Sequence, residues 1–209
     1  YETCFCSSLG YDLKNNDVAD VFFYKISDDE YLALASKKGE QLLEQAGLDK
    51  IEASNEQLDK LDKQIEEFKN KFKINFKLNS DLLILKDIFN DEYFEKVAFK
   101  CLECGICSFL CPTCHCFTID DTKCKNDGYR MRCWDYCLNP DFTLMAGGHN
   151  PRETKTSRIR QRFLHKAFYF KEREDLLGCV GCGRCLVKCP VAMDISEALK
   201  HIRGAFDGQ

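Results

Sequence analysis

The segment Cys101-Leu-Glu-Cys104-Gly-Ile-Cys107-Ser-Phe-Leu-Cys111-Pro112 is written a second time as Cys179-Val-Gly-Cys182-Gly-Arg-Cys185-Leu-Val-Lys-Cys189-Pro190, and nothing else in the chain constrains its fold so tightly. Three thiols at intervals of three residues wrap the corners of an iron–sulfur cube, with tight turns and backbone amides between them. The fourth cysteine, followed by proline, is carried toward the other copy. This is the ligand pattern of paired [4Fe–4S] clusters, in which the fourth cysteine of each run serves the other cluster. The spacing therefore assigns Cys101, Cys104, Cys107 and Cys189 to one cluster, and Cys179, Cys182, Cys185 and Cys111 to the second. Gly105 and Gly183 admit close backbone approach, and Pro112 and Pro190 end each run with a fixed φ. Zinc is the simpler alternative, because paired Cys-x-x-Cys units also build tetrahedral sulfur sites, but such sites do not call for the third and fourth cysteines or the proline.

The remaining composition fits an intracellular redox protein. Fifteen cysteines in 209 residues is a density that short secreted chains use for disulfides and cytosolic chains use for metals. No run approaches the roughly 18 consecutive apolar residues of a membrane-spanning helix, so a soluble, cytoplasmic chain with no transmembrane segment is expected. Residues 1–90 hold 12 Lys and no Arg against 18 acids, and residues 91–209 hold 18 basic residues against 16 acids. That balance is unlike the strongly basic surface of a nucleic-acid binder, so no nucleic-acid partner is expected. The chain begins at Tyr1, directly before the Cys4-Phe5-Cys6 pair, and is read as a fragment whose missing part lies N-terminal.

Before the first cysteine run, residues 21–26 and 31–35 read as a hairpin about a polar turn, and residues 40–46 as a short helix. Ile51, Leu58, Leu61, Ile65, Phe68 and Phe72 recur at spacings of seven, three and four, a helix with one apolar stripe suited to packing on a partner or on the missing domain. Ser54 and Gln57 form a capping box at its start. Residues 74–78 alternate like a strand, a short helix capped by Ser80 or Asp81 runs to Phe89, and another runs from about Asp91 into the cysteines. Loops are expected over most of 112–155, then a charged helix from Thr156 to about Tyr169, and a last helix over Ser196–Ile202. The domains expected are 1–47, the C-terminal part of a truncated β-containing N-terminal domain; 48–79, a helical linker; and 80–209, the cluster domain. The fold class is α+β, with a bacterial-ferredoxin-like two-cluster core and added helices.

Around the two runs stand Cys111-Pro-Thr-Cys114-His-Cys116-Phe, Arg132-Cys-Trp134-Asp135-Tyr-Cys137, Asp141-Phe-Thr, Ala146-Gly147-Gly148-His149-Asn150 and Arg162-Phe-Leu-His165-Lys166. With these motifs the chain, from about residue 80 to its end, resembles the dicluster family that contains the β subunit of sulfhydrogenases and NiFe hydrogenases and the corresponding subunit of anaerobic sulfite reductase. The Cys4-Phe5-Cys6-Ser7-Ser8 start is similar to the end of that family's N-terminal domain, whereas residues 46–80 show no likeness and Cys124 and Cys133 depart from the pattern. The resemblance implies an electron-relay subunit between a flavoprotein subunit that binds FAD and NAD(P)H and a catalytic metalloprotein subunit carrying nickel–iron or sirohaem. An iron–sulfur subunit of a heterodisulfide-reductase- or glycolate-oxidase-like complex and a stand-alone ferredoxin are the alternatives. No catalytic residue is assigned to the chain.

Seven cysteines lie outside the two ligand sets. Small buried packing residues or free thiols account for them most simply. Cys4, Cys6, Cys114, Cys116 and Cys137 are also the candidates for a third iron–sulfur centre, because they come in groups. His115 reads as structural, and Asp135, His149 and His165 have no spacing that fixes them about a pocket. Arg158, Arg160, Arg162 and Lys166 read as a solvated helix face, with an effect on cluster potentials or the docking of an acidic partner as the alternatives. Trp134, Phe109 and Phe117 are expected to shield the clusters from water.

Overall fold

The computed structural model describes residues 2–14, 19–48, 51–78, 88–203 and 206–207. The chain divides into two compact units, Gly10–Phe72 and Tyr1–Leu9 with Lys73–Gln209.

In the first of these, β1 (Val21–Lys25) and β2 (Tyr31–Ala35) pair antiparallel, Val21 opposite Ala35 and Lys25 opposite Tyr31. Ile26 N–H closes the turn on the Glu30 carbonyl at 2.8 Å. Ser36 caps α1 (Lys37–Gln45) by accepting from Gly39 N–H. The charged segment after it forms α2 (Asn55–Lys69), started by the expected capping box: Ser54 Oγ accepts from Gln57 N–H, and Gln57 Oε1 accepts from Ser54 N–H. Its apolar stripe faces the hairpin of the same unit. Gln64 donates to the Ile26 carbonyl at 3.0 Å, and Leu61, Ile65 and Phe68 share a wall with Leu13 and Tyr24. Leu61 is buried, but Leu58 and Phe68 of the stripe remain 39% and 46% exposed, and Ile51, ahead of the helix, stands in solvent.

The other unit is built on helices α3 (Tyr93–Lys100), α5 (Lys155–Leu164) and α8 (Ile195–Arg203), with a two-stranded pairing of β3 (Phe76–Lys77) and β6 (Phe206–Asp207). Ile195, Ala198, Leu199 and Ile202 are all buried, the i, i+3, i+4, i+7 face of an amphipathic helix. Fully burying one such branched side chain stabilises the fold by about 1.5–3 kcal/mol. They meet Phe5, Phe76, Phe94, Ile159, Phe163 and Leu164 in one core. Asp91 ties α3 to α8: its carboxylate accepts from Tyr93 N–H at 2.7 Å and meets His201 Nε2 at 2.8 Å, and the His201 ring stacks on Tyr93. The Tyr93 N–H first, and His201 after it, hold the Asp91 carboxyl below its usual range.

Two elements differ from the sequence reading. Residues expected as loop form a long hairpin, β4 (Phe117–Cys124) and β5 (Asp127–Trp134), in register from Phe117 opposite Trp134 to Cys124 opposite Asp127. Every residue of β5 is exposed, so neither face carries the apolar alternation that marks a half-buried strand. The ladder is held instead by cross-strand pairs: Arg130 binds both Asp121 oxygens at 2.7 and 2.8 Å, and Arg132 lies over the Phe117 ring at 4.2 Å. The charged helix is longer than expected and changes pitch, α5 passing through a π-helical turn at His165–Tyr169 into α6 (Phe170–Glu174). The helix expected from Ser80 or Asp81 to Phe89 falls mostly outside the described residues. Among the described residues no helix is long and apolar enough to cross a membrane.

Candidate metal centres

Each cysteine run ends in a short helix, α4 (Ile106–Phe109) and α7 (Arg184–Lys188), and the two helices pack on one another. Gly105 and Gly183 precede them in the left-handed region, at φ +75° and +70°. The freedom is needed for space as well as for φ. A Cβ on Gly105 would stand 3.0 Å from the Tyr136 ring, and one on Gly183 would stand 2.3 Å from the Thr3 carbonyl. Two residues earlier, the third position of each run also has positive φ, Gly181 at +65° and Glu103 at +53°. The amides of these two residues point back at the sulfur that opens each run, Glu103 N–H to Cys101 Sγ at 3.3 Å and Gly181 N–H to Cys179 Sγ at 3.4 Å. Met193 N–H does the same for Cys189 at 3.1 Å.

The result is a pair of cavities. Cys101, Cys104, Cys107 and Cys189 line one, of about 410 Å³ with its mouth, together with Leu138, Ile159, Phe163 and Met193. Cys179, Cys182, Cys185 and Cys111 line the other, of about 320 Å³, together with Phe5, Val180 and Ile195. Each cavity thus holds three thiols of one run and the fourth of the other. Among the described residues no three His, Cys, Asp or Glu side chains converge on a point where a single ion would sit.

The lining fits an anionic sulfur-ligated group. Burial pushes the Cys101, Cys107 and Cys179 thiols up and Cys185 up to about 12, so the apolar walls alone disfavour thiolates. Since cluster ligands must be deprotonated, binding of the metal carries that cost. Cys111 is the exception. A hydrogen bond with Cys114, and Lys166 behind it, lower it against the effect of burial. Two buried side-chain atoms have no hydrogen-bond partner among the described residues: Ser108 Oγ, next to Cys107, and Nη1 of Arg162, which lines both cavities.

The cationic helix face is where the sequence reading is corrected most. Lys155, Arg158, Arg162 and Lys166 follow at spacings of three, four and four along α5 and into the π turn, and Arg158, Arg162 and Lys166 are buried. Lys155 Nζ binds the Cys101 carbonyl at 3.0 Å. Arg158 meets Glu103 at 2.7 Å and binds the Arg152 and Glu153 carbonyls. Lys166 Nζ reaches the Gly178 carbonyl at 2.8 Å, Thr113 Oγ1 at 3.0 Å and Cys111 Sγ at 3.2 Å. Arg160 alone of the four expected on that face turns out to the surface, over the Phe89 ring. Arg158 and Lys166 hold the cysteine loops in place. Their helical spacing is the signal in the sequence, but Lys and Arg are almost never fully buried unless paired, and that rule favours the solvated reading.

Other expectations are distributed as follows. Trp134, Phe109 and Phe117 are exposed at 66%, 56% and 41% and do not shield the cavities; Phe5, Leu138, Ile159 and Phe163 do. Asp135 accepts from Tyr136 N–H and Asn139 Nδ2. His115 lies edge-on to His165, 6.2 Å between centroids. Of the surplus cysteines, Cys4 and Cys6 have their sulfurs 3.5 Å apart, on a segment whose Phe5 N–H binds the Gly181 carbonyl at 2.7 Å. Cys114 pairs with Cys111 and Cys116 with Cys137, while Cys124 and Cys133 lie exposed on the hairpin.

Residues 100–193 match the family model of the 4Fe–4S dicluster domain. The chain is also similar to sulfhydrogenase 2 subunit beta of Pyrococcus furiosus, 35% identical over an alignment of 207 positions that covers 97% of this chain and 60% of that protein. The chain therefore spans about 60% of the length of that relative. No solved structure matches it.

Proposed function

We propose that the chain, whose residues 100–193 match the 4Fe–4S dicluster domain, is the electron-relay subunit of a sulfhydrogenase-like oxidoreductase complex. One cluster is held by Cys101, Cys104, Cys107 and Cys189, the other by Cys179, Cys182, Cys185 and Cys111, in a bacterial-ferredoxin-like core to which α3, α5 and α8 are added. Each cube, when bound, accepts and returns one electron, with no bond to a substrate made or broken. The protein's own residues confine the cubes, exclude water through Phe5, Leu138, Ile159 and Phe163, and offset their negative charge with buried cations. A flavoprotein partner bearing FAD and NAD(P) exchanges electrons at one end and a catalytic metalloprotein partner, nickel–iron or sirohaem, at the other, in the cytoplasm.

The observation that carries this reading is the crossing of the cysteine runs, each cavity drawing its fourth thiol from the other copy. Two clusters are proposed; of the surplus cysteines, Cys4 lies against Cys6, and Cys116 lies against Cys137 with Cys114 acting on it. Anaerobic reductive titration of the loaded chain tests the relay: it takes up about two electrons per chain, one per cube, and gives them back to a one-electron acceptor without turning over hydrogen or sulfite. Steady turnover by the isolated chain, or no reversible uptake, contradicts it.

A further inference from the structure

Arg162 stands between the two cavities. It lines both, it is 4% exposed, and its Nη1 atom has no hydrogen-bond partner among the described residues. A guanidinium presents five donors in a rigid fork and keeps its proton at any working pH, so such burial needs an anionic counterpart. The neighbouring cations are already engaged, Arg158 with Glu103 and Lys166 with Gly178, Thr113 and Cys111. No carboxylate lines either cavity among the described residues. What surrounds Arg162 is sulfur. Burial works against its charge, and Cys107, Cys114, Cys137 and Cys185 are the groups that act on it in the other direction.

Resting on the cluster reading above, we infer that Arg162 is a tuning residue shared by both clusters, a single buried cation whose fork serves sulfur in the two cavities at once and raises both reduction potentials. An added electron makes a cube more negative, and a fixed cation in a low-dielectric wall stabilises that reduced state more than a solvated one does. Lys166 differs in reach: it lines the second cavity only and binds Cys111, so its influence is confined to one cluster. Arg162 thereby moves both members of the pair in the same direction.

The test is redox potentiometry followed by electron paramagnetic resonance on the anaerobically purified chain, with iron and sulfide counted first in every sample. In Arg162→Gln both midpoints fall, each by at least tenfold in its one-electron equilibrium, about 59 mV. In Arg162→Lys, where a compact ammonium replaces the fork, at least one midpoint falls. In Lys166→Gln a single midpoint moves, that of the cluster lost in Cys182→Ala. Full iron with both midpoints unmoved in Arg162→Gln, or only one moved, overturns the inference while leaving the clusters in place. Should Arg162→Gln fail to load, Arg162→Lys decides, and unmoved midpoints there overturn it. A wild-type chain without cubes instead overturns the cluster reading on which this one rests.

Discussion

Glu103 occupies a left-handed backbone position that its counterpart in the second run gives to Gly181. A side chain there is strained, and it is kept because Arg158, 6% exposed in its side chain, pairs with it at 2.7 Å. Removing one partner of such a pair leaves an uncompensated charge, whereas removing both is close to neutral. Arg158→Ala is therefore expected to destabilise the loaded chain by about 3–5 kcal/mol, read as a lower urea midpoint for loss of the cluster absorbance. The double variant Glu103→Gly with Arg158→Met, which copies the second run's glycine at that position and removes the cation it leaves behind, recovers most of the loss. A double variant no more stable than Arg158→Ala would show that the pair is not what holds this loop. The eight cysteines proposed as ligands are legible at the residue scale because a repeated spacing needs no three-dimensional information. Arg158, Arg162 and Lys166 are not, since whether a cation is solvated or buried depends on what the helix packs against.

Elements are legible where periodicity and capping agree. Helix α2 announces itself by its stripe and by Ser54 and Gln57, and the structure shows both halves of the capping box. Ser54→Ala is expected to cost about 1 kcal/mol, measured as a shift in thermal unfolding of the full chain by far-ultraviolet circular dichroism; an unchanged transition would mean that the cap contributes nothing. The β4–β5 hairpin stays hidden because its strands bury no face, and register there comes from Arg130 with Asp121 rather than from an apolar pattern. The two short helices α4 and α7 make the crossing of the cysteine runs testable. Cys104→Ala and Cys189→Ala are expected to abolish the same paramagnetic signal, although the residues lie in different runs, and Cys182→Ala and Cys111→Ala the other. If Cys189→Ala instead matched Cys182→Ala, each run would bind its own cluster.

At the scale of the whole molecule, the resemblance read from the motifs around the cysteines agrees with the dicluster family match and with the likeness to a sulfhydrogenase β subunit. On the proposed reading, two cubes held by interlocked runs, walled by aliphatic and aromatic side chains and faced by buried cations, would make a conduit rather than a reaction chamber. What no residue pattern encodes is which partners feed and drain it, because docking surfaces are set by the shape of the assembled complex. The central claim is narrower and rests on the metal itself. Iron and acid-labile sulfide counted on anaerobically purified chain, with electron paramagnetic resonance after reduction, are expected to give about eight of each per chain and the signature of two [4Fe–4S] centres. Zinc in place of iron, or about twelve iron atoms per chain, would contradict the account.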